Sequence, residues 1–373
     1  MDLLTLILFV IGFFLLIGGA EFLVRGSSRL AVAAGISPLV VGLTVVAYGT
    51  STPELAVTVQ STFAGQSDIA VGNVVGSNIS NVLLVLGLAA MISSLVVAPQ
   101  LVRFDIPVMI IVSVLVLLMG LDGNIGRLDG IFLTLGAISY TIFIIRKSRR
   151  EVKAVAMEHV EGAGVTLLGV AAQLGFIVLG LGLLVVGSNW LINGAVIMAE
   201  LLGVSKLVIG LTIVAVGTSL PEIATSIVAS IRGERDIAVG NIVGSNIFNI
   251  LFVLGVSGAA APAGVTVSGA ALQFDIPIMI CIAMGCLPIF LTNYAVERWE
   301  GVLFFGYYLI YAAYLFLSST DHSIADPFGA FVIVLALPIT AIILLASLIR
   351  YIRRRRHVGI IGSKTPKEII PPG

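Results

Sequence analysis

Residues 47–55 read AYGTSTPEL and residues 215–223 read AVGTSLPEI, 168 positions apart. Each stretch sets a glycine, hydroxyl side chains, a proline and a glutamate inside a long apolar segment with no other charge nearby. Sliding the chain along itself by the same 168 positions lays 35–90 over 203–258, with 32 identities in 56 ungapped positions. Agreement at that level marks an internal duplication. The same offset pairs Gly19 and Leu23 with Gly187 and Leu191. With a shift of two more, FDIP at Phe104–Pro107 recurs at Phe274–Pro277.

The medium in which the duplicated unit folds follows from composition. The chain has 373 residues, of which 58% are hydrophobic and only 11% charged, against about 25% charged in an ordinary soluble domain. Apolar runs at 2–26, 37–64, 70–95, 104–121, 126–146, 167–192, 205–231, 237–260, 274–292, 298–318 and 327–350 are each long enough to be read as membrane-crossing helices. The runs are continuous and do not alternate, which argues against a β-barrel. Leu3 to Ile17 has no basic region ahead of it and no cleavage site after it, so it reads as a first helix and not as a signal peptide. The two cysteines, Cys281 and Cys286, share one apolar run, which excludes a disulfide framework. A net charge of zero argues against a nucleic-acid partner.

With the N-terminus outside, 18 of the 20 Lys and Arg residues fall on the cytoplasmic side and only Arg127 and Lys206 outside, the bias expected of short cytoplasmic loops. The expected organisation is a first five-helix repeat over 1–146, a cytoplasmic loop over 147–166, a second repeat over 167–318, an additional helix over 327–350 without a counterpart, and a basic cytoplasmic tail over 351–373. Five is odd, so the second repeat enters the membrane from the opposite side. The expected fold is thus an all-α polytopic membrane protein of two inverted five-helix repeats plus an eleventh C-terminal helix, in the cell (inner, cytoplasmic) membrane. Inverted repeats point to alternating-access transport, with the substrate site where the repeats meet near the midplane.

The polar residues inside the spans come in twins. Pro53 and Pro221 lack an amide hydrogen and crowd the carbonyls of Gly49 and Gly217, so the second helix of each repeat is expected to break and free backbone carbonyls in the turns of Ala47 and Ala215. Glu54 and Glu222 follow the breaks, with Thr50, Ser51, Thr218 and Ser219 before them. In the third helix Asn73, Ser77 and Asn81 fall at i, i+4 and i+8, as do Asn241, Ser245 and Asn249, each set forming a polar stripe. Gly72 and Gly76, like Gly240 and Gly244, have the small-xxx-small spacing that permits close helix approach. All these donors are hard oxygens, with no histidine or thiol among them. The set suits Ca²⁺ or Na⁺ and disfavours Zn²⁺ or Cu⁺. No HExxH, GxSxG or intramembrane aspartate pair is present, so enzyme chemistry has no visible centre.

GTSTPEL…GNVVGSNISN and GTSLPEI…GNIVGSNIFN closely resemble the two α-repeats of the sodium/calcium exchanger family, in the calcium/cation antiporter superfamily. The chain as a whole looks like the short prokaryotic members. The resemblance implies a ten-helix core exchanging outgoing Ca²⁺ for incoming Na⁺, with no cofactor. It implies Glu54 and Glu222 as the principal Ca²⁺ carboxylates with Thr50 and Thr218 beside them. Ser51, Ser77, Ser219 and Ser245 and the carbonyls of Ala47 and Ala215 would serve Na⁺, Asn81 and Asn249 would line the middle, and the first and sixth helices would slide across the rest. Some family members have aspartate where this chain has Asn249, which lowers the site charge here. The central loop lacks room for the large regulatory domain of animal members. A proton-coupled antiporter of the same fold is the nearest alternative, and a non-transporting scaffold a more distant one. The expected partners are the two ions and membrane lipids, with no oligomer required.

Outside the site, Glu21 is expected either to line an ion pathway or to pair with Arg25 or Arg29. Asp68, Asp236, Asp105 and Asp275 are expected as helix N-caps. Arg353 to Arg356 read as a cytoplasmic stop-transfer block, and His159, His322 and His357 lie in loops or the tail.

Overall fold

The computed structural model describes residues 3–158, 167–203, 215–291 and 294–319. The additional helix expected at 327–350, the basic tail and the first half of the 205–231 span lie outside the described residues.

Among the described residues twelve helices follow in order: α1 (Leu3–Ala34), α2 (Pro38–Thr50), α3 (Thr52–Phe63), α4 (Ser67–Ile92), α5 (Leu101–Asp122), α6 (Arg127–Glu158), α7 (Leu167–Leu201), α8 (Ala215–Thr218), α9 (Leu220–Ile231), α10 (Arg235–Ala260), α11 (Ala271–Leu291) and α12 (Arg298–Ser319). Eight are long and apolar enough to cross a membrane, and α2 with α3 makes a ninth, bent span. The chain is a multi-pass membrane protein. Helix α6 runs on to Glu158, so the polar stretch from Lys147 begins as helix.

Helices α1 and α7 have 32 and 35 residues, or roughly 50 Å each at 1.5 Å per residue. That exceeds the ~30 Å hydrocarbon layer, so they tilt or protrude. They pack most extensively on each other, and glycine makes this contact close. A β-carbon at Gly19 would stand 2.8 Å from the Gly180 carbonyl oxygen, and one at Gly187 2.7 Å from the Leu16 nitrogen. Backbone lies close on backbone at these glycines.

The remaining helices interlock across the duplication: α2 against α10, α4 against α12, α5 against α11 and α6 against α10. Gly240 and Gly244 fulfil the close-approach expectation, since β-carbons there would lie 2.8 Å from Leu39 O and 2.7 Å from Leu43 O on α2. The twin segment that would face Gly72 and Gly76 is mostly outside the described residues. Two short antiparallel ladders join the halves. Strand β1 (Leu95–Val96) pairs with β4 (Ala295–Val296), and β2 (Asn124–Ile125) with β3 (Val265–Thr266). Each ladder takes one strand from each repeat. The core of this block is aliphatic and fully buried, with Leu43, Ile79, Leu86, Leu101, Ile106, Ile125 and Phe248 all shielded.

Two neighbouring polar contacts tie α1 to this block. The Glu21 carboxylate pairs with Arg25 one turn on and with Arg232 at the end of α9. Ser28 Oγ donates to Glu234 Oε1 at 2.7 Å in the same turn. This decides between the two expectations for Glu21 in favour of pairing, with Arg232 as a partner. The twins of Glu21, Arg25, Arg232 and Glu234 are Asn189, Asn193, Ala64 and Gln66, so the charged contact has no counterpart at the opposite face.

The four aspartates do not cap helices. The backbone runs through Asp105 as a π-turn over Leu101–Asp105, which leaves it no exposed helix N-terminus to serve. Instead Asp105, wholly buried, accepts from Tyr140 Oη at 2.9 Å and Gln100 Nε2 at 3.2 Å. Its twin Asp275 likewise ends a π-turn and accepts from Tyr311 Oη at 3.4 Å. Asp68 and Asp236 lie in the first turns of α4 and α10, after uncapped Gln66 and Glu234, where a negative charge suits the positive end of the helix dipole.

Candidate cation site between the two repeats

The break in the second span is real and local. Between α2 and α3 the axis bends by 45°, and Ser51 at the joint has φ −81°, ψ 8°. In the second repeat Ser219, between α8 and α9, has φ −86°, ψ 5°. Both serines occupy the sparsely allowed bridge between the helical and extended regions, where many functional residues sit. Proline one residue into the following helix explains the joint, because its missing N–H leaves the Gly49 and Gly217 carbonyls without their usual donor. The Ala47 carbonyl, expected to be freed, instead accepts from Ser51 N at 3.0 Å, with Thr50 Oγ1 3.4 Å away. Ala215 opens α8.

A second irregularity was not legible from the stripe. Helix α4 widens into a π-turn over Asn81–Leu86, and α10 does the same over Asn249–Leu254. Each widening begins at the central asparagine, and π-turns inside helices often mark functional sites.

These joints bring the expected residues together. Ala47, Thr50, Ser51, Glu54, Ser77, Asn81, Ser219, Glu222, Ser245 and Asn249 are all buried, each at 5% exposure or less. Thr218, half-buried, ends α8. The Glu54 and Glu222 carboxylates are near enough for their charges to interact. The Thr50 and Ser51 hydroxyls of the first repeat stand beside Glu222 of the second, though no hydrogen bond to either Glu222 oxygen closes. Thr50 Oγ1 also donates to Asn241 Oδ1 at 3.1 Å, crossing between repeats.

The stripe asparagines divide into two kinds. Asn73 Nδ2 donates to Thr58 Oγ1 at 2.9 Å and to the Glu54 carbonyl at 3.1 Å, and Asn241 Nδ2 donates to Ser226 Oγ at 3.1 Å. These are helix-to-helix ties that hold the carboxylate-bearing helices in place. By contrast Ser51 Oγ, Glu54 Oε2, both polar atoms of Asn81, Ser219 Oγ, both Glu222 oxygens, Ser245 Oγ and Asn249 Oδ1 are buried without a hydrogen-bond partner. An unanswered buried polar atom costs about 1–3 kcal/mol, and more if charged. A bound ligand would answer those that face one another across the repeats, as Glu54 and Glu222 do. With the exception of the Asn81 amide nitrogen, every one is an oxygen, which fits a hard cation. Among the described residues no group of three or more His, Cys, Asp or Glu gathers anywhere, so the donor set holds two carboxylates and otherwise neutral oxygens. A cleft of about 420 Å³ lined by Val45, Tyr48, Leu55, Leu181, Phe248 and Phe252 reaches Ser51.

The fold, a multi-pass helical protein built from inverted repeats, is that of Na⁺/Ca²⁺ exchanger-type cation antiporters. A sequence profile described as sodium/calcium exchanger protein matches residues 4–146 and 172–317, and the chain belongs to that family. It is 35% identical to the inner membrane protein YrbG of Escherichia coli (strain K12) over 322 residues, covering 84% of this chain and 97% of that one. It is 32% identical to the sodium/calcium exchanger MaX1 of Methanosarcina acetivorans, covering 83% and 98%. Its fold is similar to the solved sodium-calcium exchanger NCX_Mj, with a TM-score of 0.73 at 30% identity over 84% of this chain and 99% of that one. The family transports Ca²⁺ and Na⁺, and its members are transporters, not enzymes.

Proposed function

We propose that this chain exchanges Ca²⁺ for Na⁺ across the cell membrane by alternating access to the site between its repeats, with the N-terminus outside and the C-terminus cytoplasmic. The observation that carries this reading is the set of buried, unpartnered oxygens contributed jointly by Glu54, Glu222, Ser51, Ser219, Ser245, Asn81 and Asn249. Glu54 and Glu222 supply the charge for a divalent ion. The serine hydroxyls provide neutral positions suited to Na⁺.

Two carboxylates in a water-poor interior cost several kcal/mol when no cation or proton answers them. An unloaded site therefore resists the passage between faces and a loaded one passes, which makes exchange obligatory. Helices α1 and α7, joined along their glycines, are the pair suited to slide. The other helices are locked to one another through the interlocked packing and the two ladders.

The deciding experiment is Ca²⁺ uptake into proteoliposomes, under an imposed Na⁺ gradient at fixed pH and under a pH gradient without Na⁺. Uptake in the first arm supports the proposal. Uptake only in the second makes the protein a proton-coupled antiporter. Sustained Ca²⁺ flux with no counter-cation would overturn obligatory exchange.

A further inference from the structure

An asparagine beside a cation binds through its oxygen and repels through its NH₂, so something must hold the amide the right way round. For Asn249 the hydrogen bonds identify what does so. Asn78 Nδ2 donates to the backbone carbonyl of Asn246 at 3.1 Å, with Met279 Sδ at 3.6 Å. A carbonyl oxygen only accepts, so that atom of Asn78 must be its nitrogen and the other its oxygen. Asn78 Oδ1 lies 3.1 Å from the Asn249 side chain, so the Asn249 atom facing it must be the nitrogen. Asn249 Oδ1 is thereby turned the other way, buried and without a protein partner.

The inverted repeat requires a mirror image of this bond, from Asn81 Nδ2 to Asn246 Oδ1, because Asn78 and Asn81 are the twins of Asn246 and Asn249. Asn246 is prepared for it: its Nδ2 is directed to Met109 Sδ at 3.4 Å, twin to the Asn78–Met279 contact. Yet the bond is not made. Asn246 Oδ1 and Asn81 Nδ2 are both buried with no partner. One bond of a symmetric pair is closed, and both ends of the other stand open.

We propose that Asn78 and Asn246 are positioning residues for the two site asparagines, each engaged in a different access state. Asn78 holds Asn249 in the state seen here, and Asn246 holds Asn81 when the repeats exchange conformations and the site faces the other side. The inference rests on the reading of this site as the transport site. Neither residue contributes a ligand; each fixes which amide presents its oxygen to the ion from a given side.

The test is the KM for Ca²⁺ measured separately at each face, in right-side-out and inside-out vesicles carrying the full chain, driven by whichever gradient supports exchange in the wild type. Asn78→Leu keeps the branched shape and removes the acceptor. It is expected to raise the KM roughly tenfold or more, the usual cost of losing an outer-shell partner of a metal ligand, at one face only. Asn246→Leu is expected to raise it at the opposite face only. Asn78→Ser and Asn246→Ser, smaller than asparagine and too short to reach the amide, test the same point if the leucine variants do not insert. Equal rises at both faces, the signature of a merely structural role, or no change at either face overturns the inference. A wild-type chain that exchanges no Ca²⁺ under either gradient overturns the proposed function and this inference with it.

Discussion

At the scale of single residues, the two glutamates and the buried Asp105 carry opposite expectations. Glu54→Gln and Glu222→Gln keep the shape of the side chain and delete half the charge available to a divalent ion. Each is expected to lower Ca²⁺ exchange at least a hundredfold while inserting normally, read as flux against the amount of monodisperse protein. Retained flux in either variant would count against the ion site. Asp105 is equally buried but fully answered, by Tyr140 and Gln100. Tyr140→Phe removes one of those answers and is expected to destabilise the protein by about 1–3 kcal/mol, seen as a lower midpoint of thermal unfolding in detergent, with the KM for Ca²⁺ unchanged. Glu54 and Glu222 were legible in the sequence because a charge beside a proline in an apolar run, repeated in twin, has no bland explanation. The role of Asp105 was not: a carboxylate just before Ile-Pro looks like a cap, and only the π-turn that carries the helix through it shows otherwise. Asn78 and Asn246 stand in the repeated GSN triplets, one position off the i, i+4, i+8 stripe, and nothing in the spacing shows which amide faces which.

At the scale of elements, the contact between α1 and the α9–α10 turn is the asymmetric one. The Glu21–Arg232 and Ser28–Glu234 contacts hold α1 against the block at one face, and their twin positions carry no charged pair. Such partly exposed pairs contribute about 0.2–1 kcal/mol, enough to bias two access states by about 1.4- to fivefold. Glu21→Gln is expected to release that bias. A cysteine placed at the buried Ser27, with Cys281 and Cys286 replaced by serine, should then react faster, by up to about fivefold, with a membrane-impermeant maleimide applied from the cytoplasmic side. An unchanged rate would show that the contact closes nothing. The pairing between Glu21 and Arg232 joins residues 211 positions apart, which is why the sequence offered Arg25 and Arg29 and not Arg232.

At the scale of the whole molecule, one group of helices is tied across the duplication while α1 and α7 lie together on their glycines. Cysteines at Val96 and Ala295, paired across the β1–β4 ladder, fall within block and block, so cross-linking them is expected to leave exchange intact. Cysteines at Ser28 and Glu234, joined by a short reducible cross-linker, fasten α1 to the block. Exchange is expected to stop and to return on reduction. Exchange that survives the second cross-link would show that α1 does not move against the block.

The sequence by itself determined the medium, the duplication and its inversion, and offered the donors of the candidate site, because each rests on local or periodic facts: apolar length, odd helix count, a proline beside a carboxylate, oxygen donors without sulfur or imidazole. Tertiary structure decided what depends on distant residues meeting. Only folding sets the Thr50 and Ser51 hydroxyls beside Glu222, turns α4 and α10 into π-turns at Asn81 and Asn249, and closes one amide bond at the centre while leaving its mirror open. Two nearly identical repeats encode nearly identical halves. Which half does what at a given moment is settled by how the halves pack, since a symmetric sequence carries no instruction for breaking its own symmetry.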